Sequence, residues 1–182
     1  MKDADEIIQL LTACKQNNQM AQMAIYDRYC KAMYNTAYRI VGDFDDAEDV
    51  MQEAFIKAFS KLHSFNYNST FGAWLKRITI NESLSWLRKN NKYDFDSIDN
   101  YPQDIVEDEG IDLSKQSETV HEILQAINRL KDNYKLAVTL HLIEGYDYEE
   151  MTQIMNTSYA NVRTLVSRAK SKLKQELQKV AL

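Results

Sequence analysis

The chain has 182 residues, 45% of them hydrophobic, and a formal net charge of −5; this fits one or two globular domains, and the absence of a membrane-length apolar run argues against membrane insertion. Four glycines and a single proline leave little material for hairpin turns, and the abundant Leu, Ala, Lys, Gln, Glu and Met favour helices, so the expected fold class is all-α. Cys14 and Cys30 form no Cys-x-x-Cys pattern and read as small apolar fillers, and the first residues lack the basic region and long apolar core of a signal peptide, which predicts a soluble, cytoplasmic chain.

A first helix is expected from about Asp3 to Lys15, with Ile7, Ile8, Leu10, Leu11 and Cys14 as its apolar stripe and Asn17 and Asn18 at its end. A longer one follows from about Gln19 to Val41, with Ile25, Tyr29, Met33, Ala37, Ile40 and Val41 inward and Gly42 as its stop. Asp43, Asp45, Asp46, Glu48 and Asp49 then crowd a helix start, where carboxylates meet the positive end of the dipole. That helix continues with Val50, Ala54, Phe55, Ala58 and Phe59 suited to a core, which leaves Asp49, Gln52, Glu53 and Ile56 toward solvent. An exposed Ile among acids hints at a partner surface.

Residues 62–70 read as a polar loop containing aromatics, with Ser69 or Thr70 available to cap the next helix. In that helix Phe71, Trp74, Leu75, Ile78, Leu84 and Leu87 recur at helical spacing. Residues 61–93 hold six basic residues against one acid, Glu82. Basic residues interleaved with Phe65, Tyr67, Phe71, Trp74 and Trp86 suit a surface that stacks single-stranded bases and attracts phosphates, although Trp74 also fits a core position. Residues 94–122 change character, with ten acids against one base, Lys115, and both Pro102 and Gly110 inside. A self-repelling linker is expected at 94–116, between domains at 1–93 and 117–182.

Helical pattern resumes near Ser117 with Val120, Ile123, Leu124, Ile127 and Leu130, and a further helix over 132–144 uses Leu136, Val138, Leu140 and Ile143 before Gly145. The last stretch carries the clearest motif. Asp147 with Glu150 three residues later has the form of a capping box, Met151, Ile154 and Met155 make one stripe, Asn156 tolerates a left-handed turn, and Ser158 can cap the next helix. This is the punctuation of a helix-turn-helix. At about 100° per residue Val162, Val166, Ala169 and Leu173 share one face of the second helix, and Arg163, Ser167, Lys170 and Lys174 share another. From position 156 onward six basic residues face one acid, Glu176, in a chain that is acidic as a whole. A solvated amphipathic helix would also carry lysines, but the capped helix before it favours DNA recognition.

Together the two blocks resemble the extracytoplasmic-function sigma factors of the sigma-70 family, the short two-domain specificity subunits of bacterial RNA polymerase. The resemblance lies in Asp45-Asp46-Ala47-Glu48-Asp49-Val50-Met51-Gln52-Glu53-Ala54-Phe55, in Phe71-Gly72-Ala73-Trp74-Leu75 through Asn81 with Arg88-Lys89, and in Leu130, Leu140, Glu144-Gly145, Glu150-Met151, Ser158, Val162-Arg163 and Arg168-Ala169. It covers roughly residues 19–92 and 120–177, and two motifs in order are far more specific than either alone. The resemblance implies a transcription initiation factor that binds core RNA polymerase and directs it to promoter DNA, both duplex and melted. It implies no catalysis and no cofactor, and it admits an anti-sigma protein as regulator.

By the same resemblance Asp49, Gln52, Glu53 and Ile56 would dock on the clamp helices of the polymerase. Phe65, Tyr67, Asn68, Lys76, Arg77, Asn81, Arg88 and Lys89 would capture the melted minus-ten element. Ser158, Tyr159, Asn161, Arg163, Thr164, Ser167, Arg168, Lys170 and Lys174 would meet the minus-thirty-five duplex, and the linker would follow the RNA path. The family often has Gly at the positions of Asn156 and Ala160, Asp at that of Ser85 and a basic residue at that of Leu165. The exchange at Leu165 is expected to remove a phosphate or base contact. The alternative from another class is a stand-alone helix-turn-helix regulator, from which the acidic segment at 45–53 discriminates. His63, His121 and His141 lie far apart, and no Gly-rich phosphate loop exists, so the residues suggest no enzyme.

Overall fold

The computed structural model describes residues 2–90 and 120–180. They belong to two compact units divided after Lys89. The expected acidic linker at 94–116 falls outside the described residues.

The first unit contains α1 (Lys2–Lys15), α2 (Gln19–Val41), α3 (Phe44–Ser60), a short 3-10 turn (Leu62–Ser64) and α4 (Phe71–Lys89). Local chemistry sets the boundaries. Asn17 takes a left-handed φ of 61° after α1, and the Asn18 side chain accepts the Ala21 N–H at 3.1 Å to start α2. Gly42, at φ 81°, closes α2 by donating its N–H to the Tyr38 carbonyl. Asp43 caps α3 by accepting from the Asp45 and Asp46 N–H groups, and Thr70, of the two candidates, caps α4 through the Ala73 N–H at 3.2 Å.

α2 packs on α1, α3 and α4, and α3 on α4. Leu11, Cys14, Ile25, Met33, Met51, Phe55, Leu62, Phe71 and Leu75 build the main core, and Ala37, Val41, Ala47 and Val50 a second one against Tyr34, Tyr38 and Trp86. A fully buried Ile25 or Leu75 contributes roughly 1.5–3 kcal/mol by removal from water. Burial also raises the pKa of the Cys14 thiol, in keeping with a filler role. On the inner face of α4, Thr79 and Ser83 donate their buried hydroxyls to the Leu75 and Thr79 carbonyls, at 3.1 and 2.9 Å, so no polar cost is left there. Lys57 of α3 pairs with Glu82 of α4, whose side chain is only 15% exposed. Ile8, expected in the α1 stripe, is instead exposed, because α1 turns Leu11 and Cys14, flanked by partly buried Ile7, Leu10 and Ala13, toward the core.

The second unit contains α5 (Val120–Asn128), α6 (Asp132–Val138), a π turn (Thr139–Ile143), α7 (Tyr148–Met155) and α8 (Tyr159–Val180), with α8 packed on α5, α6 and α7. The helix expected over 132–144 runs unbroken from Asp132 to Ile143, but its second half is a π turn and not α. The Glu144 N–H reaches back five residues to the Thr139 carbonyl at 2.9 Å, and Tyr146 N–H to Leu140 carbonyl at 3.0 Å. The wider turn carries the chain past its 3.6-residue register. Leu140 therefore stays buried, while Leu142 and Ile143, the latter expected in the core, face outward. Leu124 of α5 is likewise exposed, where Ala126 and Ile127 point inward instead.

Candidate functional site

The helix-turn-helix forms as its punctuation requires. Asp147 accepts the Glu150 N–H at 2.7 Å while Glu150 accepts the Asp147 N–H at 3.0 Å, so both partners of the capping box are engaged. Asn156 stands in the left-handed region (φ 54°, ψ 51°) and donates its N–H to the Thr152 carbonyl, which ends α7. Ser158 accepts the Asn161 N–H at 3.2 Å and starts α8, and the Asn161 amide donates to the Thr157 hydroxyl across the turn.

From this fixed start α8 buries Val162, Leu165, Val166, Ala169, Leu173 and Leu177. Opposite them Ser158, Tyr159, Arg163 and Lys174 are exposed, and Asn161, Thr164, Arg168 and Lys170 are half-buried along the flank. Glu176 is engaged by Lys179, whose hydrogen bond at 2.6 Å lowers the pKa of its carboxyl, so the single acid of the helix is locally neutralised. The positive charge of α8 is therefore concentrated between Arg163 and Lys174.

Two expectations are corrected on α8. Ser167, assigned to the cationic face, is only 7% exposed, and Leu165, read as a lost phosphate or base contact, is completely buried. Because α8 is enclosed by α5, α6 and α7, its buried arc is wider than a single stripe. Leu165 at one border and Ser167 at the other both fall within it.

On α3 the structure brings Asp49, Gln52 and Glu53 into one exposed row, with Ile56 at its end 63% exposed. Glu48 accepts from the Gln52 amide at 3.3 Å, and Lys57 lies 3.7 Å from Glu53, so the row is ordered at both ends. Sequence reasoning missed Phe44, which is 66% exposed at the first position of this helix and stacks on Tyr38 at 4.7 Å. The available signal was a large apolar residue between the capping Asp43 and Asp45, outside the inward stripe.

The aromatic loop divides. Phe65 and Phe71, expected to stack bases, are both buried and pack edge to face at 5.8 Å. Both belong to the main core, so their faces are covered by protein. Half-buried Trp74 packs on the same pair. Tyr67 remains outside, with a left-handed φ of 62°, its ring on Phe65 at 4.7 Å and the Lys15 ammonium 4.9 Å from its centroid. Holding a tyrosine in that backbone region costs about 1–2 kcal/mol, met here by packing and the cation–π contact. Lys15 was not singled out from sequence because it lies 52 residues from its partner. Asn68, Asn81, Arg88 and Lys89 are exposed, and Lys76 and Arg77 half-buried.

Among the described residues no group of three or more His, Cys, Asp or Glu could hold a metal ion, and no helix is long and apolar enough to cross a membrane.

Comparison with known proteins shows the same division. Residues 25–93 match the family model for sigma-70 region 2, and residues 121–173 that for sigma-70 region 4. The extracytoplasmic-function (ECF) RNA polymerase sigma factor SigW of Bacillus subtilis (strain 168) is 31% identical over 90% of this chain and 92% of its own. The ECF RNA polymerase sigma-E factor of Escherichia coli (strain K12) is 32% identical over 73% of this chain and 74% of its own. Among solved structures, the sigma factor RpoE of Bartonella quintana, crystallised with the anti-sigma factor NepR, superimposes with a TM-score of 0.58 at 25% identity, covering 86% of this chain and 96% of that one. With both regions present in order and the relatives matched across most of their length, this chain belongs to the extracytoplasmic-function sigma factors of the sigma-70 family.

Proposed function

We propose that the chain acts by lending core RNA polymerase two separate grips, one for the enzyme and one for promoter DNA. As a member of its family it is a transcription initiation factor that binds core polymerase and directs it to promoters. The finer assignment rests on one observation, the coexistence of an ordered, exposed carboxylate row on α3 with a capped helix-turn-helix whose α8 concentrates positive charge. Asp49, Gln52, Glu53 and Ile56 dock on the polymerase. Arg163, Thr164, Arg168, Lys170 and Lys174, with Ser158, Tyr159 and Asn161 at the helix start, meet the minus-thirty-five duplex. Tyr67 and Asn68, with Lys76, Arg77, Asn81, Arg88 and Lys89, meet the melted minus-ten strand. Residues 94–116 tether the two grips, and an anti-sigma protein is a fitting regulator, since a structurally similar sigma factor is known in such a complex.

No bond chemistry is asked of this chain: it supplies binding free energy, and the polymerase catalyses. The direct experiment is assembly with purified core enzyme followed by run-off transcription from a promoter library. Changing Asp49→Ala together with Glu53→Ala is expected to weaken holoenzyme assembly while duplex binding survives. Unchanged assembly would remove the α3 assignment, and a chain that binds operator-like duplex yet never associates with core enzyme would remove the whole reading.

A further inference from the structure

Three rings from three elements meet beside the start of α8. His141 of the π turn sits 5.0 Å from the ring of Tyr148, the first residue of α7, and Tyr148 meets Tyr159, the first residue of α8, at 5.9 Å and 70°, edge to face. His141 is itself fixed, because its Nδ1 lies 2.9 Å from the Tyr146 carbonyl, which can only accept, so the ring donates there. Tyr148 begins α7 directly after the capping-box residue Asp147, and its ring lies between those of His141 and Tyr159. Yet at the end of this chain of contacts Tyr159 is 52% exposed. An aromatic ring held from behind and open in front is an ordered contact surface, at the end of a recognition helix that ordinarily meets base edges.

We propose that Tyr159 reads the methyl group of a thymine in the major groove, and that Tyr148, backed by His141, is the positioning residue that aims it. The inference rests on the duplex-reading role of α8 given above. Two observations select a thymine methyl over a phosphate. The surroundings of the Tyr148 end of the stack are acidic, with Asp147, Glu149 and Glu150 on the same turn of α7, which disfavours an anionic partner. Tyr159 keeps about half of its surface exposed beside its contact with Tyr148, and among bases only thymine offers an apolar group in that groove.

The test uses the holoenzyme and a duplex selected from a random library, with each thymine replaced singly by deoxyuridine, which removes only the methyl. At one position the replacement is expected to weaken wild-type binding roughly three- to fourfold, about the worth of one buried methyl. Tyr159→Ala should bind thymine and uracil there equally, and Tyr148→Leu should lose most of the same ratio, whereas Tyr148→Phe, which keeps the ring, should retain it. A merely structural Tyr148 would lower affinity for every duplex without changing that ratio. The inference is overturned if the wild type responds to no thymine methyl, if Tyr159→Ala keeps the response, or if Tyr148→Leu leaves the ratio intact. A wild-type holoenzyme that selects no duplex overturns the reading role of α8 and this inference with it.

Discussion

Leu165 separates the two ways of understanding α8. The resemblance drawn from the sequence implies a DNA contact for a basic residue at this position; the structure has the Leu165 side chain completely buried. Leu165→Ala should therefore cost about 2–5 kcal/mol through lost burial and the residual cavity. A unit comprising residues 120–180 has a stability of roughly 3–9 kcal/mol at typical values per residue. Leu165→Lys loses the same burial and adds an unpaired ammonium, so it should leave this unit largely unfolded. Both tryptophans, Trp74 and Trp86, lie in the first unit, which provides an internal control. Urea unfolding of the full chain should show the tryptophan fluorescence transition unmoved, while the circular dichroism transition of the second unit shifts to lower denaturant in Leu165→Ala and vanishes in Leu165→Lys. Duplex binding should fall in parallel. A Leu165→Lys chain with an unchanged circular dichroism profile and tighter duplex binding would refute the buried assignment.

Asn156→Gly should be neutral or slightly stabilising, because glycine enters the left-handed region freely, whereas Asn156→Val should cost about 1–2 kcal/mol, read as the urea midpoint of the second unit. Arg163→Ala should cost about 1–3 kcal/mol in duplex binding and relax selectivity at one base pair, while Lys174→Ala should weaken all sequences alike and reduce the salt slope by about one; equal effects of both on every sequence would erase the distinction. Lys57→Met should destabilise the first unit by about 1 kcal/mol, a modest figure because Lys57 is 40% exposed even though the stranded Glu82 carboxylate is not. The hydrogen bond to Glu82 raises the pKa of Lys57, so its stabilisation is whole below the unfolded lysine value of about 10.4 and fades as pH climbs through the higher folded value. The wild-type advantage over Lys57→Met in tryptophan-monitored urea unfolding should accordingly hold from neutral pH and shrink only in strong alkali.

Much of this protein was legible without coordinates because it is written in local chemistry. Gly42, Asp43, Thr70, the Asp147 and Glu150 pair, Asn156 and Ser158 each act within about four residues of themselves. The exposed row of Asp49, Gln52, Glu53 and Ile56 comes from one helical period. Errors arose where burial depends on how many neighbours a helix has. Ser167 lies on the cationic arc of an isolated α8, yet three packed helices extend the buried arc to cover it. Phe65 and Phe71 have the composition of a stacking platform and are consumed by the core instead.

The sequence by itself determined an all-helical chain with an acidic helix face in one half and a capped helix-turn-helix in the other, since caps, turns and periodicity are properties of neighbouring residues. Only the tertiary structure decided which border residues stay available. It withdrew Ser167, Phe65 and Phe71, it shifted Ile143 outward through a π turn, and it brought His141 and Tyr148 together behind the exposed ring of Tyr159. The physical reason is that exposure and ring contacts are set by the packing of elements distant in the chain, which no local pattern encodes.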